Sequence, residues 1–254
     1  MRSPPRLELT GVSGVPLVEP GDDLAAILIA AMKRNAVAPR SSDVLVIAQK
    51  IVSKAEGRFV DLALVKPSSQ AVAVGQAIEK DPRLVEVILG ESKRIVRQRP
   101  GLLITEHRLG YVMANAGVDH SNVAADRRVL LLPRDPDGSA ELLRKRMGAH
   151  YGCELAVIVS DSFGRPWRRG TVGVALGAAG IPALVDLRGT PDLFGSKLEV
   201  TLTGFADAIA TAAALVMGEA AEGVPAVLVR GLAWSAAPSP AAELIRPAQE
   251  DLFR

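Results

Sequence analysis

The chain has 254 residues, of which 48% are hydrophobic and 23% charged, a composition typical of a protein that buries a sizeable core. The 30 Lys and Arg nearly balance the 28 Asp and Glu, and the formal net charge of +2 provides no overall field that would recruit nucleic acid or a membrane surface. Cys153 is the only cysteine, which excludes an internal disulfide framework and a cysteine-rich metal site and favours a reducing compartment.

The N-terminal residues 1–14 carry prolines and charges where a signal peptide needs an apolar core, so we expect no export signal and a cytoplasmic location. The longest apolar stretch, 208–218, is far shorter than the roughly 20 residues that span a bilayer. The sequence therefore predicts no membrane segment.

The first hundred residues predict helices and strands in irregular succession. Apolar residues at helical spacing predict a helix within 19–35, and the apolar run at 42–49 predicts a buried strand. Two more helices are predicted over 68–80 and 81–98, the second of which begins with an Asp-Pro pair at the N-cap and first helical position.

The middle of the chain predicts a hairpin across 101–117, with its turn near Leu109 and Gly110. A strand, a turn and a helix are predicted across 127–152, and a buried strand over 154–162.

The last part of the chain predicts strands and tight turns across 170–189 and a half-buried strand at 196–203. A helix over 204–220 and a strand over 225–231 follow, and the Pro- and Ala-rich residues 236–247 predict an extended surface segment. Because strands and helices do not alternate regularly, we expect an α+β fold with mixed sheets and flanking helices rather than a doubly wound sheet.

Three acidic segments follow predicted strands or helices. Asp161 comes directly after the apolar run at 155–159, where we expect the strand to open into a loop. Asp119 lies in a second polar loop, and Glu219 and Glu222 follow the predicted helix of the C-terminal part. An aspartate that caps its own loop and a glutamate that solvates a helix end are the plain alternatives.

Three of these acidic side chains, together with the Ser162 hydroxyl, would suit a divalent cation if the loops converge. Hard cations such as Mg²⁺ prefer oxygen ligands, and Asp119, Asp161, Glu219 and the Ser162 hydroxyl supply them. The three histidines lack metal-ligand spacing, so we expect structural or exposed roles for them: His107, His120 and His150.

Two groups of cations could bind anions. Lys50 and Lys54 follow the predicted strand at 42–49, in a segment that we expect to be a loop closed by Gly57 and Arg58. Lysines there could neutralise phosphate oxygens or simply solvate the surface.

The second group is the arginine cluster Arg165, Arg168 and Arg169, whose guanidinium forks suit phosphate or carboxylate. We consider nucleic-acid binding by this cluster a weak hypothesis, because it needs a wider basic surface than the net charge indicates. The sequence contains neither the glycine-rich P-loop motif nor the dinucleotide-binding glycine motif.

Six stretches occur together in the order and spacing of one family: GVPLVEPGDDL, DVLVIAQKIVSKAEGR, NAGVDHSNV, LPRDPDGSAELLR, SDSFGRPWRRG and MGEAAEGVPAVLVRGL. Through them the chain resembles, over nearly its whole length, the coenzyme F-420:L-glutamate ligase family, the γ-glutamyl ligases that finish the deazaflavin cofactor F-420. The resemblance implies that residues 1–254 form one γ-glutamyl ligase domain, with room for two subdomains and without the appended nitroreductase-like domain of some relatives. It also implies an intertwined homodimer, for which the small and apolar residues 170–187 could serve as interface.

The resemblance further implies a GTP site and a site for two divalent cations, Mg²⁺ or Mn²⁺, with K⁺ as a candidate third cation. The family would place these residues around GTP: Val15, Pro16, Leu17, Val18, Gln49, Lys50, Lys54, Asn122, Met217, Gly218, Glu219, Ala220, Ala221, Glu222, Gly223 and Val224. Asp119 and Asp161 would bind one metal, and Ser162, where many members carry threonine, would bind the second with Glu219. The expected catalytic residues are Asp119, Asp161, Arg165 and Arg168.

The reaction implied is the addition of L-glutamate to the terminal carboxylate of the F-420 precursor through an acyl phosphate made with GTP, followed by a second glutamate in γ-linkage. Two other functions remain open from the residues. One is a related nucleotide-dependent ligase that attaches an amino acid to another carboxylate. The other is a catalytically silent binding protein that keeps the fold.

Overall fold

The computed structural model describes residues 5–119 and 127–252. The strands are β1 (Glu8–Val12), β2 (Val44–Ala48), β3 (Phe59–Asp61), β4 (Ser92–Arg99), β5 (Leu102–His107), β6 (Val112–Ala114), β7 (Arg128–Leu130), β8 (Ala156–Gly164), β9 (Thr171–Ala179), β10 (Leu184–Asp186), β11 (Leu202–Gly204) and β12 (Ala226–Arg230). The α-helices are α1 (Leu24–Arg34), α2 (Gln49–Ala55), α3 (Ser69–Ile78), α4 (Pro82–Gly90), α5 (Pro136–Tyr151) and α6 (Phe205–Met217). Among the described helices, none combines the length and the apolar character that crossing a bilayer requires.

The chain divides into two compact units. The first unit consists of Met1–Val18, Asp22–Val52 and Asp135–Leu244, and the second of Glu19–Gly21, Ser53–Arg134 and Ile245–Arg254.

The first unit is built on a five-stranded mixed sheet in the order β1-β12-β2-β8-β9. Strands β2 and β8 are parallel, and the other neighbours are antiparallel. Helix α6 covers one face, where Ile209, Ala210 and Ala213 pack with sheet residues such as Val46 and Ile158 in one buried cluster. Small alanines on α6 let the helix approach the sheet closely. The predicted α+β class with mixed sheets is therefore confirmed.

The second unit contains a β3–β7 pair and a three-stranded antiparallel sheet in the order β4-β5-β6. Its buried cluster includes Ile78 of α3, Ile88 of α4, Leu103 of β5 and Val129 of β7. The predicted hairpin is formed by β5 and β6. Asp81 caps α4 as expected, since its Oδ1 accepts the Arg83 N–H at 2.8 Å.

Three sequence-based expectations for secondary structure were wrong. The helix predicted over 81–98 ends at Gly90, and Ser92–Arg99 forms β4 because its backbone pairs antiparallel with β5. The strand predicted at 196–203 is limited to Leu202–Gly204, and Ser196 instead ends a turn in which Asp192 Oδ1 accepts the backbone N–H groups of Phe194 and Ser196. Residues 49–55, expected in a loop, form α2.

The C-terminal tail is also more ordered than predicted. Ala241–Leu244 forms a 3₁₀ turn, and Ala241 is fully buried. The Ala241 N–H donates to Asp137 Oδ1 at 2.7 Å, and the Ala178 N–H of β9 donates to the same oxygen at 2.8 Å. One helix-start carboxylate therefore fixes both an edge strand and the tail.

Asp207, in the first turn of α6, binds β9 in the same way and gives a testable pH dependence. Its Oδ1 accepts the Ala175 N–H at 2.8 Å, but burial raises the pKa of the Asp207 carboxyl above its ordinary value, and this effect outweighs the hydrogen bond. Because the pKa of Asp207 is higher in the folded state, the contribution of this carboxyl to stability is fully present below the unfolded-state pKa of about 3.9. That contribution is lost as the pH rises through the folded-state pKa.

We therefore expect Asp207→Asn, which keeps an oxygen acceptor without a charge, to raise Tm at pH 8 by roughly 2–4 °C, the shift that about 1 kcal/mol gives a protein of this size. Thermal unfolding across pH 5–8 would measure the effect. The gain should shrink as the pH falls, and a difference that is independent of pH would contradict the assignment.

Candidate functional site

The predicted metal-binding segment lies on β8, within the strand predicted over 154–162. We expected Asp161 where the strand opens, but Asp161 pairs with Val174, and β8 continues to Gly164. The strand is buried through Ser160 and half-buried beyond it, with a shift of register between Val159 and Ser160. Backbone pairing with β9 explains the difference, because it extends the strand past the end of the apolar run. Irregularities of this kind re-aim side chains next to functional sites.

The structure brings two predicted metal ligands into contact. The Ser162 hydroxyl donates to Glu219 Oε2 at 2.8 Å, across 57 positions of sequence. Ser162 pairs with Gly173 on the face of the sheet that carries α6, and Glu219 follows the end of that helix. The position of helix α6 therefore places the Glu219 carboxylate beside β8.

The segment after α6 is folded on itself by Glu222. Its Oε2 accepts the Ala220 N–H at 2.8 Å, and the backbone hydrogen bonds from Ala220 and from Glu222 itself lower the pKa of the Glu222 carboxyl. The side chain crosses Gly218, where a Cβ would lie 2.5 Å from Glu222 Cγ and where φ is +73°. Only glycine fits that position. The Glu222 carboxylate thus binds the backbone of its own loop, whereas Glu219 contacts Ser162.

Asp119 is held at the start of the predicted ligand loop in the second unit. Its backbone pairs in both directions with Leu130, at 2.9 and 2.8 Å. The turn before it contains three successive left-handed residues, Asn115, Ala116 and Gly117, with φ of 52°, 51° and 69°. Such backbone strain is concentrated at functional loops. Asn122, predicted to contact GTP, lies outside the described residues, as does His120.

The donor set suits a hard divalent cation, because Ser162 and Glu219 offer oxygen atoms at one place. Within residues 5–119 and 127–252, no three His, Cys, Asp or Glu side chains form a group that could hold a metal. Along β8 successive side chains point to opposite faces, so Asp161 lies on the face opposite Ser162. The expected roles of Asp119 and Asp161 as metal ligands therefore stay predictions.

The predicted nucleotide segments of the first unit meet at one end of its sheet. At this end, β1 finishes at Val12 opposite Ala226, where β12 begins, and β2 finishes at Ala48 opposite Ser160 of β8. The Ala48 N–H also donates to Pro225 O at 2.8 Å. We call this end, defined by Val12, Ala48, Ser160 and Ala226, the site end of the sheet.

Three predicted segments adjoin the site end. Residues 15–18 follow β1, Gln49 and Lys50 follow β2, and residues 217–224 precede β12. A Cβ on Gly11 would lie 2.9 Å from Val224 Cγ1, which shows how closely the third segment packs on β1. Together with β8, these segments bring the first unit's predicted GTP residues and its predicted metal ligands to the same end of the sheet.

The arginines lie in the turn between β8 and β9. The Arg165 guanidinium contacts the Gly170 carbonyl at 3.5 Å, while Arg168 and Arg169 are exposed. Trp167, 86% exposed and left-handed with φ +67°, marks the tip of the turn. These cations can reach a ligand in solvent.

A cavity of about 490 Å³ lies at the opposite end of the sheet, before β2 and β8. It is lined by Ser42, Glu141, Arg144, Glu154, Leu155, Gly180, Leu232, Ala233, Trp234 and Pro238. None of these is a predicted site residue, and Arg144 is already bound by Glu141 and Glu154.

Comparison with known proteins gives one consistent result. The family described as F420-0:Gamma-glutamyl ligase matches residues 14–231. The Coenzyme F420:L-glutamate ligase of Methanothermobacter thermautotrophicus is 48% identical over 250 residues, which are 98% of this chain and 99% of that protein. Proteins of the same name from Methanopyrus kandleri and Archaeoglobus fulgidus are 46% and 41% identical, over 96% and 98% of this chain and 97% of each relative.

Proposed function

The chain belongs to the F-420-0:γ-glutamyl ligase family, and on that premise we propose that it is a GTP-dependent ligase that joins L-glutamate to the terminal carboxylate of the coenzyme F-420 precursor. The observation that carries the proposal is the site end of the sheet. There, three predicted nucleotide segments adjoin the strand that carries Asp161 and Ser162, and Ser162 contacts Glu219.

The chemistry needs activation because a carboxylate is a poor acyl donor whose leaving group would be oxide. In the proposed first step, an acceptor carboxylate oxygen attacks the γ-phosphorus of GTP, the bond to the β-phosphate oxygen breaks and GDP leaves. In the second step, the glutamate amine attacks the carbonyl carbon of the acyl phosphate. The amide bond forms, phosphate leaves with one former carboxylate oxygen, and the amine proton is lost to solvent.

The residues of this chain would bind and orient the reactants. Lys50 and Lys54, four residues apart on α2, share one face of that helix and would neutralise phosphate oxygens. Arg165 and Arg168 would hold the anionic acceptor or glutamate in the exposed β8–β9 turn. Phosphoryl transfer depends mainly on such positioning and on charge neutralisation.

Divalent cations, when bound, would neutralise charge that develops at the transferred phosphoryl group. Ser162 and Glu219 would hold one Mg²⁺ or Mn²⁺, and Asp161 and Asp119 the other, with K⁺ as a further cation of the proposal. A homodimer, a cytoplasmic location and addition of a second glutamate through the γ-carboxyl of the first belong to the same proposal.

The test is an assay of the purified protein with the F-420 precursor, L-glutamate and GTP. We expect one GDP and one phosphate per amide formed, little turnover with ATP, and a γ-linkage in any diglutamate product, read by fragmentation mass spectrometry. With an acceptor carboxylate labelled with ¹⁸O, one labelled oxygen should appear in the released phosphate.

Unlabelled phosphate would contradict the acyl phosphate route. Turnover with another carboxylate but not with the deazaflavin would favour the related-ligase hypothesis. Ligand binding without turnover would favour a silent binding protein.

A further inference from the structure

A buried ionic cluster lies in the second unit, at the end of α4. Glu91 is 8% exposed, and its carboxylate accepts hydrogen bonds from Arg58 Nη2 at 2.9 Å and from Arg108 Nη2 at 2.9 Å. His107 Nε2 lies 3.5 Å from the same Glu91 oxygen. The Glu91 carboxylate is thus in contact with three side chains from two other segments of the chain: Arg58, His107 and Arg108.

Arg58 is the side chain that connects this cluster to the end of α2. Its Nε donates to Leu132 O at 2.8 Å, so the guanidinium is fixed on two sides. Its backbone N–H donates to Ser53 O at 2.9 Å, and its carbonyl accepts the Leu131 N–H at 3.0 Å. Both the backbone and the side chain of Arg58 are therefore immobilised by buried partners.

The turn that Arg58 completes carries Lys54. The Gly57 N–H donates to Lys54 O at 2.9 Å, and the Gly21 N–H donates to Ala55 O at 2.9 Å. Gly57 is left-handed, with φ +66°, which closes the turn directly before Arg58. The backbone position of Lys54 is thus fixed by a turn whose last residue is anchored in the cluster.

We propose that Glu91 is a positioning residue for nucleotide binding: by holding Arg58, it fixes the turn that carries Lys54. The inference rests on the proposed role of Lys54 toward GTP phosphates. Burying the Arg58–Glu91 ion pair is a poor way to gain stability alone, and fixing a register is the best-attested use of such buried pairs. The same pair joins α4 to the end of α2 across 33 positions of sequence.

The groups around Glu91 favour the ionised form of its carboxyl. Burial raises the pKa of Glu91, but the neighbouring His107 ring and the charges of Arg58 and Arg108 lower it by more, so the pKa lies below its ordinary range. His107 Nδ1 accepts the Leu109 N–H at 2.9 Å, so the imidazole N–H lies at Nε2, on the side of Glu91. Replacing this carboxylate by a neutral group would leave two guanidiniums without their shared anion.

The test compares Glu91→Gln with Glu106→Gln, a matched control. Both glutamate side chains are 10% exposed in the second unit, but Glu106 binds Arg94 and Lys93. We expect Glu91→Gln to raise the KM for GTP and the calorimetric Kd for GDP about tenfold, with kcat within about twofold, because a small displacement of a binding group costs affinity. Glu106→Gln should leave both nucleotide constants unchanged.

A double-mutant cycle separates positioning from general stability. In the Lys54→Ala background, Glu91→Gln should have little further effect on Kd, because its action passes through Lys54. A full tenfold effect in that background would overturn the inference, as would Glu91→Gln with a lower Tm but unchanged Kd.

Failure of the proposed function has a different outcome, in which Lys54→Ala itself leaves nucleotide binding unchanged. If Glu91→Gln does not fold, Arg58→Lys serves instead. It keeps a cation near Glu91 but cannot hold both Glu91 and Leu132 O, and it should weaken nucleotide binding in the same Lys54-dependent way.

Discussion

Asp161→Ala is expected to lower kcat for ligation about a thousandfold, with a much smaller change in the KM for GTP. The reason is its proposed role as a ligand of a cation at the transferred phosphoryl group, where charge stabilisation is worth several kcal/mol. Each 1.36 kcal/mol changes the rate tenfold. A group that acts mainly in the transition state affects kcat, whereas a lysine that contacts phosphates throughout affects mainly KM.

Steady-state kinetics with GTP as the varied substrate would measure both constants. Asp186→Ala is a suitable control, because Asp186 is an exposed carboxylate whose pKa is lowered to about 2 by Arg188, and its loss should leave kcat unchanged. A chelator should stop wild-type turnover, and Mg²⁺ or Mn²⁺ should restore it. Undiminished ligation by metal-stripped enzyme in excess chelator would refute the metal role, and equal effects of Asp161→Ala on kcat and KM would refute the assignment.

The sequence predicted best what is encoded locally. Apolar periodicity identified α6, and the Asp-Pro start identified the N-cap of α4. The sequence-based prediction failed where pairing with a neighbouring strand decides the conformation. Residues 92–98 could continue a helix or pair as a strand, and β5 selects the strand. Asp161 was expected where the strand opens into a loop, because the apolar run ends before it, but pairing with β9 extends β8 to Gly164.

The site was predictable only in part for the same reason. Single motifs supplied the residue types, and the resemblance supplied their roles, but the contact between Ser162 and Glu219 depends on the position of α6. The Arg58–Glu91 pair gave no local signal, since Arg58 reads as an ordinary loop residue and its partner lies on another helix end. Contacts between residues distant in sequence follow from packing and cannot be read from spacing.

Gly173→Ala is expected to have the second large effect, because it acts on the packing that brings Glu219 to Ser162. A Cβ on Gly173 would lie 2.7 Å from the Ala210 carbonyl carbon and 3.0 Å from the Thr211 amide nitrogen, both backbone atoms that no rotamer change can move. Thr211 Oγ1 also donates to Gly173 O at 2.7 Å, so the helix and the strand are in direct contact there.

Helix α6 must therefore shift away from β9 in the Gly173→Ala protein, at a cost of about 1–3 kcal/mol, as for other overpacked cores. Glu219 should move with the helix and leave Ser162, so Mn²⁺ binding measured by titration calorimetry should weaken at least tenfold even in the folded fraction. Gly90→Ala is the control, since no atom lies within 4 Å of a Cβ there. Wild-type Tm and wild-type Mn²⁺ affinity in Gly173→Ala would show that the close approach of α6 does not set the geometry of the Ser162–Glu219 pair.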